Sequence, residues 1–181
     1  PPTGLLQAAT DLGHHDYRHC LCFHSLSKRS NLPGMRSGFV AGDARWIERF
    51  RRYRTYHGCA MPPHHQLASQ WAWGDEFHVI ENRARYREKF AAVSPILAHV
   101  MAVPSPEAGF YLWPKTPIDD ETFAKQLLER AAVKVLPGRY LARDTALGNP
   151  GENRVRLALV AELAHCVEAA ERIAHAVHQG W

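Results

Sequence analysis

The chain has 181 residues, enough for one ordinary domain or two small ones. Its 46% hydrophobic and 22% charged residues are typical of a globular protein with a sizeable core. No apolar run approaches the ~20 residues of a membrane-spanning helix, so we expect no membrane partner. The 22 basic and 18 acidic residues are spread along the chain. The densest basic stretch, 45–54, has apolar residues at helical spacing and no recognition motif, so we expect a solvated helix face and no nucleic-acid partner.

Cysteine and histidine positions bear on compartment and metal binding. The four cysteines are unevenly spaced in a chain too large for a disulfide scaffold, which favours reduced thiols and a cytoplasmic protein. A metal site would draw on the cluster His14, His15, His19, Cys20, Cys22 and His24. Because no second pair completes a zinc-type spacing, we expect no metal.

The hydrophobic pattern of the first half predicts short strands alternating with helices. The predicted elements are a helix over 5–12, a buried strand over 20–25, a polar loop over 27–34, a strand over 37–42, and helices over 44–56, 61–73 and 75–103. Pro33-Gly34 marks a turn, and Asp43 is a candidate N-cap. The long helix is expected to bend at Ser94-Pro95.

The second half predicts a small α/β domain attached through the long helix. Its predicted elements are a strand over 108–113, a helix over 119–132, a strand over 133–136 ended by Pro137-Gly138, a loop over 140–152, a strand over 155–160 and a helix over 162–178. We therefore expect two domains, 1–94 and 95–181.

The segment 25–38 carries the residues best suited to chemistry. Lys28 follows the predicted strand, where partial desolvation would lower the pKa of its amine and make it a nucleophile. Arg36 offers a forked, permanently charged partner for a phosphate. Taken alone, these residue types are weak evidence for a functional site, because a Lys and an Arg in a loop are more often exposed surface residues.

The order of these residues is more specific than their types. Ser-x-x-Lys, followed eight residues later by Arg within Pro-Gly-x-Arg-x-Gly, resembles the lysine motif of fold-type I class I and II aminotransferases, which use pyridoxal phosphate (PLP). The resemblance implies that Lys28 forms the Schiff base with PLP and moves the proton between substrate and cofactor. It implies that Ser25 and Arg36 bind the cofactor phosphate, with Ser27 as a further candidate contact.

A second match lies at Val155-Arg156-Leu157-Ala158-Leu159. It resembles the small-domain strand whose arginine binds the substrate α-carboxylate in this family, which implies that role for Arg156. Choosing Arg156 over Arg154 rests on the resemblance, and the alternative is a solvated arginine on an edge strand. The resemblance implies an α/β fold comprising the C-terminal part of the PLP-binding large domain, with a mixed or parallel sheet, and the small C-terminal domain. It also implies a homodimer.

Several stretches resemble N-succinyldiaminopimelate aminotransferases within that family. They are 27–31, 53–58, 81–90 and 156–162. The resemblance implies transamination of N-succinyl-LL-2,6-diaminopimelate with 2-oxoglutarate, in lysine and diaminopimelate biosynthesis. The alternatives are an aspartate-, alanine- or aromatic-type aminotransferase, a β-lyase, or a non-enzymatic binding fragment.

The resemblance covers essentially the whole chain but only about the C-terminal half of the family. The family's phosphate-binding turn, its ring-stacking aromatic and the Asp that holds the pyridine nitrogen have no counterpart in the sequence. The chain also opens Pro1-Pro2 without Met. We therefore expect a fragment of a longer transaminase that is incomplete for catalysis on its own.

Overall fold

The computed structural model describes residues 2–180 and gives an α/β structure, which confirms the predicted fold class. The helices are α1 Leu5–Asp11, α2 Leu26–Arg29, α3 Ala44–Tyr56, α4 Pro63–Gly74, α5 Phe77–Ala98, α6 Asp120–Ala131 and α7 Leu163–His178. The strands are β1 Leu21–Ser25, β2 Gly38–Gly42, β3 Tyr111–Leu112, β4 Leu136–Pro137 and β5 Val155–Ala158. Short 3-10 turns lie at Pro33–Met35 and Gly138–Leu141. Within 2–180, none of the helices combines the length and the apolar character needed to cross a membrane.

The chain divides into two compact units, Pro1–Arg83 and Ala84–Trp181. The point of division lies inside α5. The predicted domain boundary after residue 94 lies further along the same helix and stays a prediction.

In the first unit, β1 and β2 form an antiparallel hairpin. Its register runs from Leu21 opposite Gly42 to Ser25 opposite Gly38. Gly42 has a φ of +141°, and a Cβ there would lie 2.0 Å from the Cys20 carbonyl oxygen. Only glycine fits this close approach, so the end of β2 depends on it. All strand pairs of the described residues are antiparallel, so the mixed or parallel sheet that the resemblance implies is not observed in residues 2–180.

The hairpin is more exposed than its apolar sequence predicts. The strand predicted over 20–25 is present as β1, but Phe23 is 65% exposed and His24 is also exposed, so the prediction that this strand is buried is wrong. Among the described residues, β1 pairs only with β2. An apolar sequence favours burial, but a strand is buried only where other elements pack over its faces. The buried hydrophobic residues of this unit are Ala9, Leu26 and Val79.

The helix α3 has the bounds that the sequence predicts. Asp43 is its N-cap, and the Asp43 carboxylate accepts hydrogen bonds from the backbone N–H groups of His19 and Arg45, both at 3.0 Å. The bond from His19, followed by those from Arg45, outweighs the cost of burial and lowers the Asp43 pKa from 3.8 to about 2. The cap thus joins the start of α3 to the segment that precedes β1.

In the second unit, β3, β5 and β4 form a three-stranded antiparallel sheet in that order. Its core is a cluster of buried residues from α5, the sheet, α6, α7 and the segments that follow α5 and β5: Val93, Leu97, Met101, Leu112, Phe123, Leu127, Ala131, Val155, Leu157, Leu159, Cys166, Ala170, Ile173 and Ala176. Along β5, Val155 and Leu157 are buried whereas Arg156 and Ala158 are more accessible. The strand therefore turns one face to the core and presents Arg156 on the other.

Three local predictions need correction. Residues 27–29, predicted as the start of a polar loop, belong to the helix α2, which is too short to show a helical period. The strand predicted over 133–136 is observed only as β4 Leu136–Pro137, so it begins at the end of the predicted range and includes Pro137, which is tolerated because β4 is an edge strand. α5 ends at Ala98, not at residue 103. The predicted bend at Pro95 stays a prediction.

Candidate functional site

The corner between β1 and α2 brings two serines together. Ser25 ends β1 and is the N-cap of α2, and its Oγ accepts a hydrogen bond from the Ser27 N–H at 3.1 Å. The same Oγ lies 3.0 Å from both Ser27 Oγ and the Ser37 carbonyl oxygen. The two hydroxyls therefore share one hydrogen-bonded corner.

The backbone beside Arg36 adjoins this corner, because Ser25 Oγ donates to the Ser37 carbonyl. Ser25 pairs with Gly38, two residues after Arg36, and a Cβ on Gly38 would lie 2.6 Å from the His24 carbonyl oxygen. Arg36 itself has a left-handed backbone with φ of +48°, and its guanidinium donates to the Pro33 carbonyl at 2.8 Å. It is exposed, and no carboxylate within residues 2–180 pairs with it.

Lys28 belongs to the same turn of chain. It is the third residue of α2 and lies three positions after the N-cap Ser25. Lys28 is exposed, so the predicted partial desolvation at a strand end is not observed. The structure thus gathers Ser25, Ser27, Lys28 and Arg36 around one corner, while their roles stay predictions.

Arg29 anchors this corner, a role that the sequence did not reveal. Its guanidinium donates to the carbonyls of Ala72 at 3.0 Å and Trp73 at 3.3 Å, at the end of α4. It also donates to Ser30 Oγ at 3.1 Å and pairs with Glu76. A second basic residue beside Lys28 is visible in the sequence, but its partners at Ala72, Trp73 and Glu76 lie more than forty positions away.

In the second unit, Arg156 opens onto a cavity of about 520 Å³ lined by Tyr111, Trp113 and Leu141. Arg156 is half-buried, and its Cζ lies 5.9 Å from the centre of the Tyr111 ring. Among the described residues no carboxylate pairs with it. A guanidinium in a partly apolar cavity is suited to bind an anionic ligand.

Arg154 is placed differently. Its guanidinium donates to the Trp113 carbonyl at 3.2 Å and so supports the backbone of the neighbouring segment. Arg156 makes no such contact to a carbonyl of the described chain. This difference favours Arg156 as the ligand-binding arginine, a role that stays a prediction.

In the described part of the chain, neither the cysteines nor the potential metal ligands form a further candidate site. All four cysteines are free, and Cys166 is buried. Burial raises the pKa of the Cys166 thiol, more than the nearby Lys89 charge lowers it. Within residues 2–180, no group of three or more His, Cys, Asp and Glu side chains is placed to hold a metal ion.

Comparison with known proteins places this arrangement in a family. The family "Aminotransferase class I and II" matches residues 4–173. The chain belongs to the class I and II aminotransferases. That family is PLP-dependent.

Individual aminotransferases agree with this assignment over nearly the whole chain. A 4-dedimethylamino-4-oxo-anhydrotetracycline transaminase of Streptomyces rimosus is 35% identical over 95% of the chain and 46% of its own length. An aminotransferase structure from Neisseria meningitidis is 58% identical with a TM-score of 0.92, over 96% of the chain and 44% of its own. A probable N-succinyldiaminopimelate aminotransferase from Thermus thermophilus is 30% identical with a TM-score of 0.78, over 90% and 43%. The chain thus spans less than half the length of these aminotransferases.

The residues of the β1–α2 corner fit the cofactor of this family. PLP carries an aldehyde that an amine can attack and a phosphate that hydroxyl, backbone and guanidinium donors can bind. The corner supplies an amine at Lys28, hydroxyls at Ser25 and Ser27, and the Arg36 guanidinium with no carboxylate partner in the described chain. The donor set of this corner therefore suits PLP.

Proposed function

We propose that the complete gene product containing these residues transfers an amino group between an amino acid and a 2-oxo acid with PLP as cofactor. The observation that carries the proposal is the corner in which the Ser25 and Ser27 hydroxyls lie 3.0 Å apart on the turn that bears Lys28. Family membership over residues 4–173 supports the same activity. PLP, when bound, supplies an aldehyde and a conjugated ring that draws electrons from the substrate carbon.

Each residue of the corner has a distinct role in this proposal. Lys28 binds the cofactor through its amine and moves the proton at the substrate carbon. Ser25, Ser27 and Arg36 bind the phosphate through charge-assisted hydrogen bonds and orient the ring. Arg156 binds the substrate carboxylate through a forked guanidinium, which fits its place in the cavity.

For the substrates we propose N-succinyl-LL-2,6-diaminopimelate and 2-oxoglutarate, and hence a role in lysine and diaminopimelate biosynthesis. The stretches 27–31, 53–58, 81–90 and 156–162 support this choice, as does similarity to the T. thermophilus protein. The S. rimosus relative is named for a different substrate at comparable identity, so aspartate-, alanine- and aromatic-type transamination or β-lysis are the alternatives to test.

We further propose a cytoplasmic homodimer. Large apolar side chains are exposed in the first unit, including Phe23, Phe39 and Trp71, and large apolar patches commonly mark interaction surfaces. Light scattering of the purified gene product is expected to give twice the protomer mass at micromolar concentration. A monomer at that concentration would contradict the proposal.

Lys28→Ala tests the activity. We expect it to lower the rate of transamination at least ~10³-fold and to abolish the visible absorption of the bound cofactor, while circular dichroism stays unchanged. The matched control is Lys125→Ala, because Lys125 is an exposed lysine on α6 of the second unit. An unchanged rate of transamination in Lys28→Ala, with cofactor still bound, would contradict the proposed role of Lys28. Unchanged function without transamination would favour a binding protein.

A substrate panel tests the finer assignment. The purified gene product is supplied with PLP, 2-oxoglutarate and, in turn, N-succinyl-LL-2,6-diaminopimelate, aspartate, alanine, phenylalanine and a β-lyase substrate. We expect kcat/KM to be highest for the succinylated substrate. A higher kcat/KM for any other member would replace it as the substrate.

A further inference from the structure

The ring of Tyr111 lies against the guanidinium of Arg156 on the accessible face of the three-stranded sheet. Tyr111 pairs with Ala158, and Arg156 precedes Ala158 by two positions, so the two side chains are diagonal neighbours across β3 and β5. Ala158 is small and leaves the space directly opposite Tyr111 open. The Arg156 Cζ lies 5.9 Å from the ring centre, inside the ~6 Å range of a cation–π contact.

The Tyr111 ring is itself held in place. Phe110 packs edge-on against it, with centroids 5.5 Å apart and an interplanar angle of 88°. Phe110 in turn contacts Tyr86 of α5, at 6.2 Å between centroids. Tyr111 is 40% exposed and lines the cavity. Its ring is therefore both held by Phe110 and accessible beside Arg156.

Arg156 needs such a surface if it is to bind a carboxylate. An arginine side chain has considerable rotamer entropy, and a forked contact forms only when the guanidinium plane is fixed. Within residues 2–180, neither a carboxylate nor a backbone carbonyl is hydrogen-bonded to Arg156, whereas Arg154 is fixed by the Trp113 carbonyl. Among the described residues, the Tyr111 ring is the group placed to orient the Arg156 guanidinium.

We infer that Tyr111 is a positioning residue that aligns Arg156 for the substrate carboxylate. The inference rests on the proposed function for its substrate. The ring provides the alignment and the phenolic hydroxyl does not, because the contact is with the ring face. Tyr111→Phe therefore keeps the effect and Tyr111→Leu removes it.

Kinetics of the complete gene product with PLP and glutamate test this role. Tyr111→Leu is expected to raise KM for glutamate about three- to tenfold, with kcat changed less than about twofold. Tyr111→Phe is expected to restore the wild-type KM. Tyr56→Leu is the matched control, since Tyr56 is 82% exposed and lies on α3 in the other unit.

Binding of glutarate, an unreactive dicarboxylate, gives a second readout that does not need turnover. Isothermal titration calorimetry is expected to show the same three- to tenfold weakening in Tyr111→Leu. In the Arg156→Ala background the same change is expected to have no effect, because the ring then has no guanidinium to align. Independent, additive effects of the two substitutions would overturn the inference.

The two readouts separate this inference from the proposed function. Absence of transamination with any amino acid, together with coupled effects on glutarate binding, would overturn the function and support the alignment. Normal transamination with an unchanged KM in Tyr111→Leu would overturn the alignment alone. Failure of the wild-type protein to bind glutarate would overturn it as well.

Discussion

At the scale of single residues, Asp120 is the buried charge on which the second unit depends. Its carboxylate is fully buried and accepts hydrogen bonds from Arg139 Nε at 2.8 Å, the Arg139 N–H at 3.1 Å and the Asn153 N–H at 3.2 Å. Burial raises its pKa, but the hydrogen bonds from Arg139 and Asn153 outweigh it and leave the pKa lowered. One carboxylate thus ties α6 to the two segments that follow β4 and precede β5.

Asp120→Asn is expected to destabilise the second unit by about 3 kcal/mol. Both carboxylate oxygens accept N–H donors, so an amide group would turn its own hydrogens towards a donor at a fully buried position. Urea unfolding followed by circular dichroism measures the change. Glu129→Gln is the control, since Glu129 is an exposed carboxylate on the same helix. A loss below about 0.5 kcal/mol would contradict the importance of this carboxylate.

Asp43 gives a prediction for pH. Its folded pKa of about 2 lies below the ordinary 3.8, so the charged form is favoured by folding. The stabilisation is present in full above pH 3.8 and is lost as the pH falls towards 2. Asn also caps helices but does not titrate. The stability difference between the wild type and Asp43→Asn, measured by urea unfolding, is therefore expected to shrink between pH 4 and pH 2, and a constant difference would contradict this.

At the scale of elements, the β1–β2 hairpin depends on the glycine at its end. Gly42→Ala would place a methyl group 2.0 Å from the Cys20 carbonyl oxygen and would force a φ of +141° on an alanine. We expect a loss of about 1–3 kcal/mol in unfolding free energy. Gly34→Ala is the control, because a Cβ there meets nothing within 4 Å. Equal melting temperatures for the two variants would refute the requirement for glycine at position 42.

The helices whose bounds the sequence predicts well are those with a helical hydrophobic period and an N-cap residue. α3 has Asp43 before a long amphipathic stretch, and α6 has Asp119 in the same place, so both were found with bounds correct within a residue. α2 has four residues and no period, and its cap, Ser25, was predicted as the end of a strand. Exposure of Phe23 could not be predicted either, because burial depends on neighbours that the local pattern does not specify.

The same limit applies to the site. The spacing of Ser25, Lys28 and Arg36 named the family, since it is a property of sequence order. Arg29 and Tyr111 were missed, because their contacts depend on packing against α4 and on the register of β3 with β5. A sequence motif therefore identifies the side chains that contact a ligand. It is less informative about the residues that hold those side chains in position.

At the scale of the whole molecule, the buried core is unevenly distributed. The cluster of fourteen buried hydrophobic residues lies in the second unit, whereas in the described part of the first unit the buried hydrophobic residues are Ala9, Leu26 and Val79. The contrast is clearest between two helices. α7 buries Cys166, Ala170, Ile173 and Ala176, while no residue of α3 is buried.

Hydrogen exchange should follow this distribution, because helices with few buried contacts open at low free energy. We expect the backbone amides of α7 to exchange at least about tenfold more slowly than those of α3 when the 181-residue chain is followed by mass spectrometry. Asp120→Asn is then expected to speed exchange in α6 and α7 and to leave α3 unchanged. Equal protection of α3 and α7 in the wild type would mean that contacts other than apolar burial stabilise α3.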